Sequence, residues 1–220
     1  MLFYLTIYAS SIATQGAGAV NTHSAMTKVA IVVPTRGNRP LYNTYSWVKA
    51  QTRNPDIVVI ADYKPNVTPD LTQRVRRGLH NAFTKGADIA FIFEDDDYYA
   101  PNYIEHMLEH WNGEALLGIE QSLMYHQANK RWRLTSHPGR ASLYSTAVTP
   151  NIMGIEWPPD RHTFLDLHLW QQNLSKAFAP IGRPAVAVGV KHGIGLVGSG
   201  SHNPKNFGYT QPPIKADLPK

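Results

Sequence analysis

The 220-residue chain has no cysteine. Disulfide bridges, zinc–thiolate sites and cysteine nucleophiles are therefore excluded, and any bound metal must be held by oxygen and imidazole. No stretch reaches the roughly 18 apolar residues needed to cross a membrane as a helix. No G-x-G-x-x-G stands directly after the apolar run Val29–Val33 and no G-x-x-x-x-G-K-[ST] occurs, which lowers support for dinucleotide-dehydrogenase and P-loop chemistry. Acids are in short supply, 16 Asp and Glu against 21 Lys and Arg, for a formal charge of +5. The excess suits an anionic ligand such as a phosphate ester or a nucleic acid. No basic run is longer than the Arg76-Arg77 pair, however, so the concentrated charge of a nucleic-acid arm is missing. The opening apolar segment lacks the positive n-region of a secretory signal. Because Met26 directly precedes the first clear strand, residues 1–25 read as an upstream extension, with a weak signal or membrane-contacting segment as the alternative. A cytoplasmic location is the expectation.

Apolar material is plentiful, at 43% hydrophobic residues, enough for one large domain or two small ones. Val29 to Val33 is a continuous, mostly β-branched run ended by Pro34, the pattern of a strand buried on both faces. Pro40 suits the first turn of a helix carrying Leu41, Tyr45 and Val48 at helical spacing. Asp56 to Ala61 predicts a second buried strand. Thr68-Pro69 reads as the start of a helix with Leu71, Val75, Leu79 and Ala82 on one face, closed by Gly86. Ala87 to Phe93 predicts a third strand, and Pro101 a helix with Ile104, Met107, Leu108 and Trp111 in phase. This β-α-β-α-β-α order predicts an α/β fold, a mostly parallel Rossmann-like sheet with helices on both sides.

After Gly113 the segments shorten to ALLGIE, SLMYH and RWRLT, which predict a smaller antiparallel part. A helix is expected over Asp160 to Lys176 and a strand over PAVAVGV. The Gly- and Ser-rich segment 191–220 is expected to be a mobile tail. No linker separates the halves, so residues 26–220 read as one domain: 28–112 a nucleotide-binding half, 113–190 an irregular half for the acceptor.

Four acids, Glu94, Asp95, Asp96 and Asp97, follow the apolar third strand. In an open parallel sheet, ligands bind beyond the carboxyl ends of the strands, where the loop Pro34-Thr35-Arg36, Asp62 and this cluster all fall. In extended chain, Asp95 and Asp97 would share one face and Glu94 and Asp96 the other, so that one pair could share a cation. Hard oxygen ligands suit Mg²⁺ or Mn²⁺. The plainer possibility is a solvated acidic loop, or Asp97 serving the N-terminus of the following helix.

VAIVVPTRGNRP, DIVVIAD and RRGLHNAFTKGADIAFIFEDDDYYAPNYIE together resemble the nucleotide-sugar-binding half of the GT-A glycosyltransferases, most closely the family-2-like group. The resemblance covers residues 28–112. It implies that Asp95-Asp96-Asp97 is the Asp-x-Asp motif, with Asp95 and Asp97 holding Mn²⁺ or Mg²⁺ and Asp95 and Asp96 near the donor nucleotide. It further implies that Pro34, Thr35 and Arg36 shape the nucleotide pocket, that Asp62 contacts the base, and that Arg76 or Arg77 meets the base or a phosphate. In the second half, HTFLDLHLWQQNL is similar to the late helix that carries the catalytic base of inverting members, here Asp166; the family often has two acids there. His192 and His202 are candidates for a further metal ligand.

The resemblance implies a hexosyltransferase-type enzyme. It would move a sugar from a nucleoside diphosphate sugar donor to a hydroxyl acceptor, which could be a glycan, a small molecule or a modified nucleic acid. Two other classes stay open. One is a metal-dependent nucleotidyltransferase; the other is a non-catalytic glycan- or nucleic-acid-binding module, favoured by the 5 Trp, 11 Tyr and positive charge.

Overall fold

The computed structural model describes residues 27–37, 41–64, 67–192, 203–216 and 218. Strand β1 (Val29–Pro34) is buried along its whole length. It lies between β2 (Ile57–Ala61) and β3 (Ile89–Ile92), parallel to both. Burial on both faces is why β1 and β3 are apolar without alternation; β2, expected to be buried, is the edge strand and buries Ile57, Val59 and Ala61 while Val58 on its other face is exposed. The sheet continues through β8 (Thr146–Val148), β5 (Leu116–Gly118) and β9 (Lys176–Phe178) in the order β2-β1-β3-β8-β5-β9. β8 runs antiparallel to both its neighbours, and β9 is parallel to β5. The chain is a single α/β domain with a mostly parallel main sheet.

Helices cover both faces of that sheet. On one side, Val48 of α1 (Tyr42–Ala50) and Tyr103, Ile104 and Met107 of α3 (Tyr103–Leu108) pack on Val29, Ile31, Ile89 and Phe91. On the other, Val75, Leu79 and Ala82 of α2 (Leu71–Thr84) share a core with Ala30, Val32 and Ile92, and with Leu165, Leu169 and Trp170 of α4 (Leu165–Gln171). Burying each large side chain of this kind stabilises the fold by about 1.5–3 kcal/mol. The approach of α2 is close: a Cβ on Gly78 would stand 2.5 Å from a Val32 methyl.

A second sheet, in the order β4-β10-β6-β7, packs on the α1 and α3 side. The hairpin of β6 (Gln121–His126) and β7 (Arg131–Ser136) turns at Gln127–Lys130. β10 (Ala187–Lys191) lies parallel to β6 and antiparallel to the two-residue β4 (Tyr98–Tyr99).

The structure departs from the sequence reading in several places. Asp70, not Thr68, is the N-cap of α2, and its carboxylate does not cap the helix because Arg36 and Arg74 engage it. The helix expected over 160–176 is confined to Leu165–Gln171. The chain is extended at Gln172, and Lys176–Phe178 instead adds an edge strand to β5, where backbone partners are available. ALLGIE and SLMYH fall in different sheets, and β10 makes the second sheet mixed rather than purely antiparallel. Of the tail expected to be mobile, residues 193–202 lie outside the described residues, as do residues 1–26. In the described part from Asn203, Phe207 is buried and Tyr209 pairs with Trp132 of β7, while most other side chains are exposed. Among the described residues, no helix is long and apolar enough to cross a membrane.

Candidate functional site

The acidic cluster sits where the parallel strands end. Phe93 donates its amide to Val32 at 2.9 Å, after which the chain turns at Asp95 and Asp96. The expected face-by-face alternation of the four acids therefore does not occur, because it requires extended backbone. The Tyr99 ring stacks on Phe93 at 3.8 Å, and its hydroxyl accepts the Glu94 amide at 2.8 Å. Pairing of β4 with β10 then brings the residues at the end of β10 over the loop.

Each aspartate has its own partner. Thr35, buried at the end of β1, donates its hydroxyl to Asp95 Oδ2 at 2.6 Å. Asp96 Oδ2 lies 2.8 Å from His192 Nε2. Asp97 is completely buried; its Oδ1 accepts the Val190 amide at 2.6 Å and lies 3.8 Å from Lys191 Nζ. The other oxygen of Asp97 is buried without a hydrogen-bond partner. Burial pushes the Asp97 carboxyl up to about 7, Lys191 pulling against it and Asp96 adding to it. Burial, followed by Asp97, raises Glu94 well above the usual carboxylate range. Asp97 does not serve α3, whose N-cap is Asn102.

The remaining residues of the expected nucleotide pocket are dispersed among other contacts. Pro34 is buried, and Arg36 donates to Asp70 at 2.9 Å. Asp62 is exposed beyond β2. Next to it, the Tyr63 ring lies under the guanidinium groups of Arg77 and Arg74, at 4.8 and 5.4 Å from its centroid. Arg76 pairs with Asp160 at 2.9 Å. His202 lies outside the described residues.

Asp166 stands in the first turn of α4 and accepts from Arg140 at 3.1 Å. Arg140 also donates to Nδ1 of His137 at 3.1 Å. Burial and then Arg140 lower the His137 pKa, with Asp166 opposing. These three residues line an open cavity of about 620 Å³, and Glu94, Lys191 and Tyr144 form other parts of its wall. Glu94 of the acidic loop and the predicted base Asp166, 72 positions apart, thus line one space. Sequence reading missed Lys191, Arg140 and His137. Lys191 stood beside a predicted residue, His192, and was legible as such; Arg140 and His137 sit in an ordinary Pro-Gly turn that carries no signal.

No family model and no curated protein matches the chain. Solved structures similar to it include A197 from STIV, at 12% identity over 70% of this chain and 82% of that one, with a TM-score of 0.45. Another is a Desulfovibrio desulfuricans G20 protein provisionally described as a nucleotide-diphospho-sugar transferase, at 11% identity over 70% of this chain and 80% of that one, with a TM-score of 0.34. Likeness at this level carries no argument about chemistry, which must come from the site.

The donor set at the acidic loop fits a hard divalent cation. Among the described residues, no three ligand atoms converge there. Mg²⁺, however, is usually held by only one or two carboxylates and completes its shell with water and substrate phosphates. The unpartnered Asp97 oxygen, crowded by neighbouring acids, is the atom such an ion would satisfy. Asp95 and His192 stand in the same loop-and-strand junction.

Proposed function

We propose that the protein is a metal-dependent glycosyltransferase that moves a sugar from a nucleoside diphosphate sugar to a hydroxyl acceptor. The observation that carries this reading is the meeting of two carboxylate systems. An acidic loop with an unsatisfied buried oxygen on Asp97 lies at the ends of parallel strands, and its first acid, Glu94, lines the same cavity as Asp166. Asp97, with Asp95 and His192 near it, would hold Mg²⁺ or Mn²⁺. When bound, the ion would supply positive charge against the departing diphosphate. Thr35, fixed to Asp95, and the Tyr63 ring beside Asp62 would border the nucleotide.

Asp166 would take the proton from the acceptor hydroxyl as its oxygen bonds to the anomeric carbon. The bond from that carbon to the diphosphate breaks, and the nucleoside diphosphate leaves. Arg140 holds the Asp166 carboxylate at the cavity wall, so it acts as a positioning residue. A base must be within hydrogen-bond reach of the proton it removes, and the cavity is large enough to admit a sugar hydroxyl beside Asp166.

The test is thermal stability with nucleoside diphosphates, with and without Mn²⁺, because a ligand specific for the folded state raises its stability by mass action. A nucleotide shift that needs Mn²⁺, followed by release of nucleoside diphosphate from a nucleotide sugar, is the expected result. Release of pyrophosphate from a triphosphate would assign the site to nucleotidyl transfer. Absence of any nucleotide effect would overturn the reading.

A further inference from the structure

We propose a second metal site, of a different chemical class, at the end of α3: His106, Glu109 and His110 bind a zinc-class divalent cation. One ring nitrogen from each histidine and one Glu109 carboxylate oxygen lie within 4.8 Å of one another, a spacing that a single ion can bridge. His106 and His110 stand at i and i+4, the helical spacing at which two imidazoles share a zinc ion.

Both imidazoles are already oriented. His106 Nε2 is 2.8 Å from the Pro180 carbonyl, and His110 Nδ1 is 2.9 Å from the His106 carbonyl. A carbonyl can only accept, so each contact places the ring proton on that nitrogen and leaves the lone pair on the other. Metal-binding histidines are held in this way by outer partners that fix the tautomer. The backbone beneath is rigid too: Tyr103, Ile104, Met107 and Leu108 are buried in the core, which turns His106, Glu109 and His110 outward. The C-terminal end of a helix also carries partial negative charge, which favours a cation.

Two imidazoles and one carboxylate select Zn²⁺, Co²⁺ or Ni²⁺ over Mg²⁺, whereas the acidic loop offers mostly hard oxygen. Three protein ligands leave one tetrahedral position open, and the exposed Glu109 places that position at the surface. A bound ion would tie the end of α3 to the segment around Pro180 through His106.

The experiment is calorimetric titration of Zn²⁺ into the chelator-stripped full chain, with Co²⁺ absorbance as a second reading of coordination. Wild type is expected to bind Zn²⁺ and to give visible Co²⁺ bands. His110→Ala should weaken Zn²⁺ binding by at least about tenfold, the scale on which even outer partners of a metal matter. Glu109→Gln, at an exposed position, should weaken it in the same direction. The component of the Zn²⁺ isotherm and the Co²⁺ bands that His110→Ala removes should persist in Asp97→Asn, which separates this site from the acidic loop. Equal Zn²⁺ affinity in wild type, His110→Ala and Glu109→Gln, or no Zn²⁺ binding by wild type, would overturn the proposal.

Discussion

The acidic loop after β3 and the wall around Asp166 handle charge in opposite ways. In the loop, Asp95 accepts from the Thr35 hydroxyl, Asp97 accepts from the Val190 amide, and Asp96 lies 2.8 Å from His192 Nε2. The nearest ammonium to Asp97, Lys191, is 3.8 Å away, and one Asp97 oxygen has no partner. Around Asp166 the carboxylate instead meets a guanidinium directly, and that guanidinium is shared with His137. The first arrangement leaves one buried Asp97 oxygen without a hydrogen-bond partner, the atom that the proposed cation would satisfy. The second balances its charge internally, which holds a carboxylate in place without calling for a metal. Their shared cavity is where the two differences become complementary.

The largest effect that would break this contrast is expected at Asp97. Asp97→Asn should abolish Mn²⁺-dependent nucleotide stabilisation while leaving the apo protein as stable or slightly more so, because one of several mutually repelling acids is removed. Thermal melts with and without Mn²⁺ check both halves. Retained metal-dependent binding would contradict the assignment of the loop.

Asp70 sharpens the comparison with an acid of the first half that is fully compensated. Burial alone would raise its carboxyl, but hydrogen bonds from Arg36 and Arg74 outweigh it and hold the carboxyl below its ordinary value. A depressed folded-state pKa means that Asp70 stabilises the fold fully above the unfolded value of about 3.9, and that this contribution is lost as pH falls through the folded value. Asp70→Asn should cost about 3 kcal/mol at neutral pH, since it strands the buried Arg74. The loss should shrink toward acid, as urea melts across that range would show.

Asp166→Asn is expected to lower turnover by about a hundredfold while leaving donor and metal binding intact. An interaction made only in the transition state lowers kcat and kcat/KM together, so donor calorimetry alongside rates separates the cases. Loss of donor binding as well would place Asp166 in the donor pocket. The smallest effect is expected at Gly78, where an added methyl would press on Val32 at 2.5 Å. Gly78→Ala should destabilise by about 1–2 kcal/mol, the scale of overpacking, with no change in metal dependence. An unchanged melting temperature would show that α2 can lift off the sheet.

Much of the first half could be read from order alone. The runs at Val29 and Ile89 are apolar and buried on both faces, the pattern of a covered parallel sheet, while the Ile57 run, at the edge, is covered on one face only. Gly86, with φ of +84°, closes α2 where the sequence pattern placed the stop. The second half resisted because its decisive elements are two or three residues long. Thr146–Val148 is too short to show a period, and Lys176–Phe178 continues a helix-like stretch until the β5 edge captures it.

By itself the sequence determined the existence of the first three strands and the position of the acidic loop after the third, because hydrophobic runs and their punctuation are local properties. Tertiary structure alone decided the pairings within the site. His192 meets Asp96, and the amide of Val190 meets Asp97, across 96 and 93 positions, because β4 pairs with β10. Asp166 reaches the cavity shared with Glu94 because α4 packs against the sheet through Leu165, Leu169 and Trp170. Such contacts depend on backbone pairing and packing between distant segments, so no pattern within either segment could have specified them.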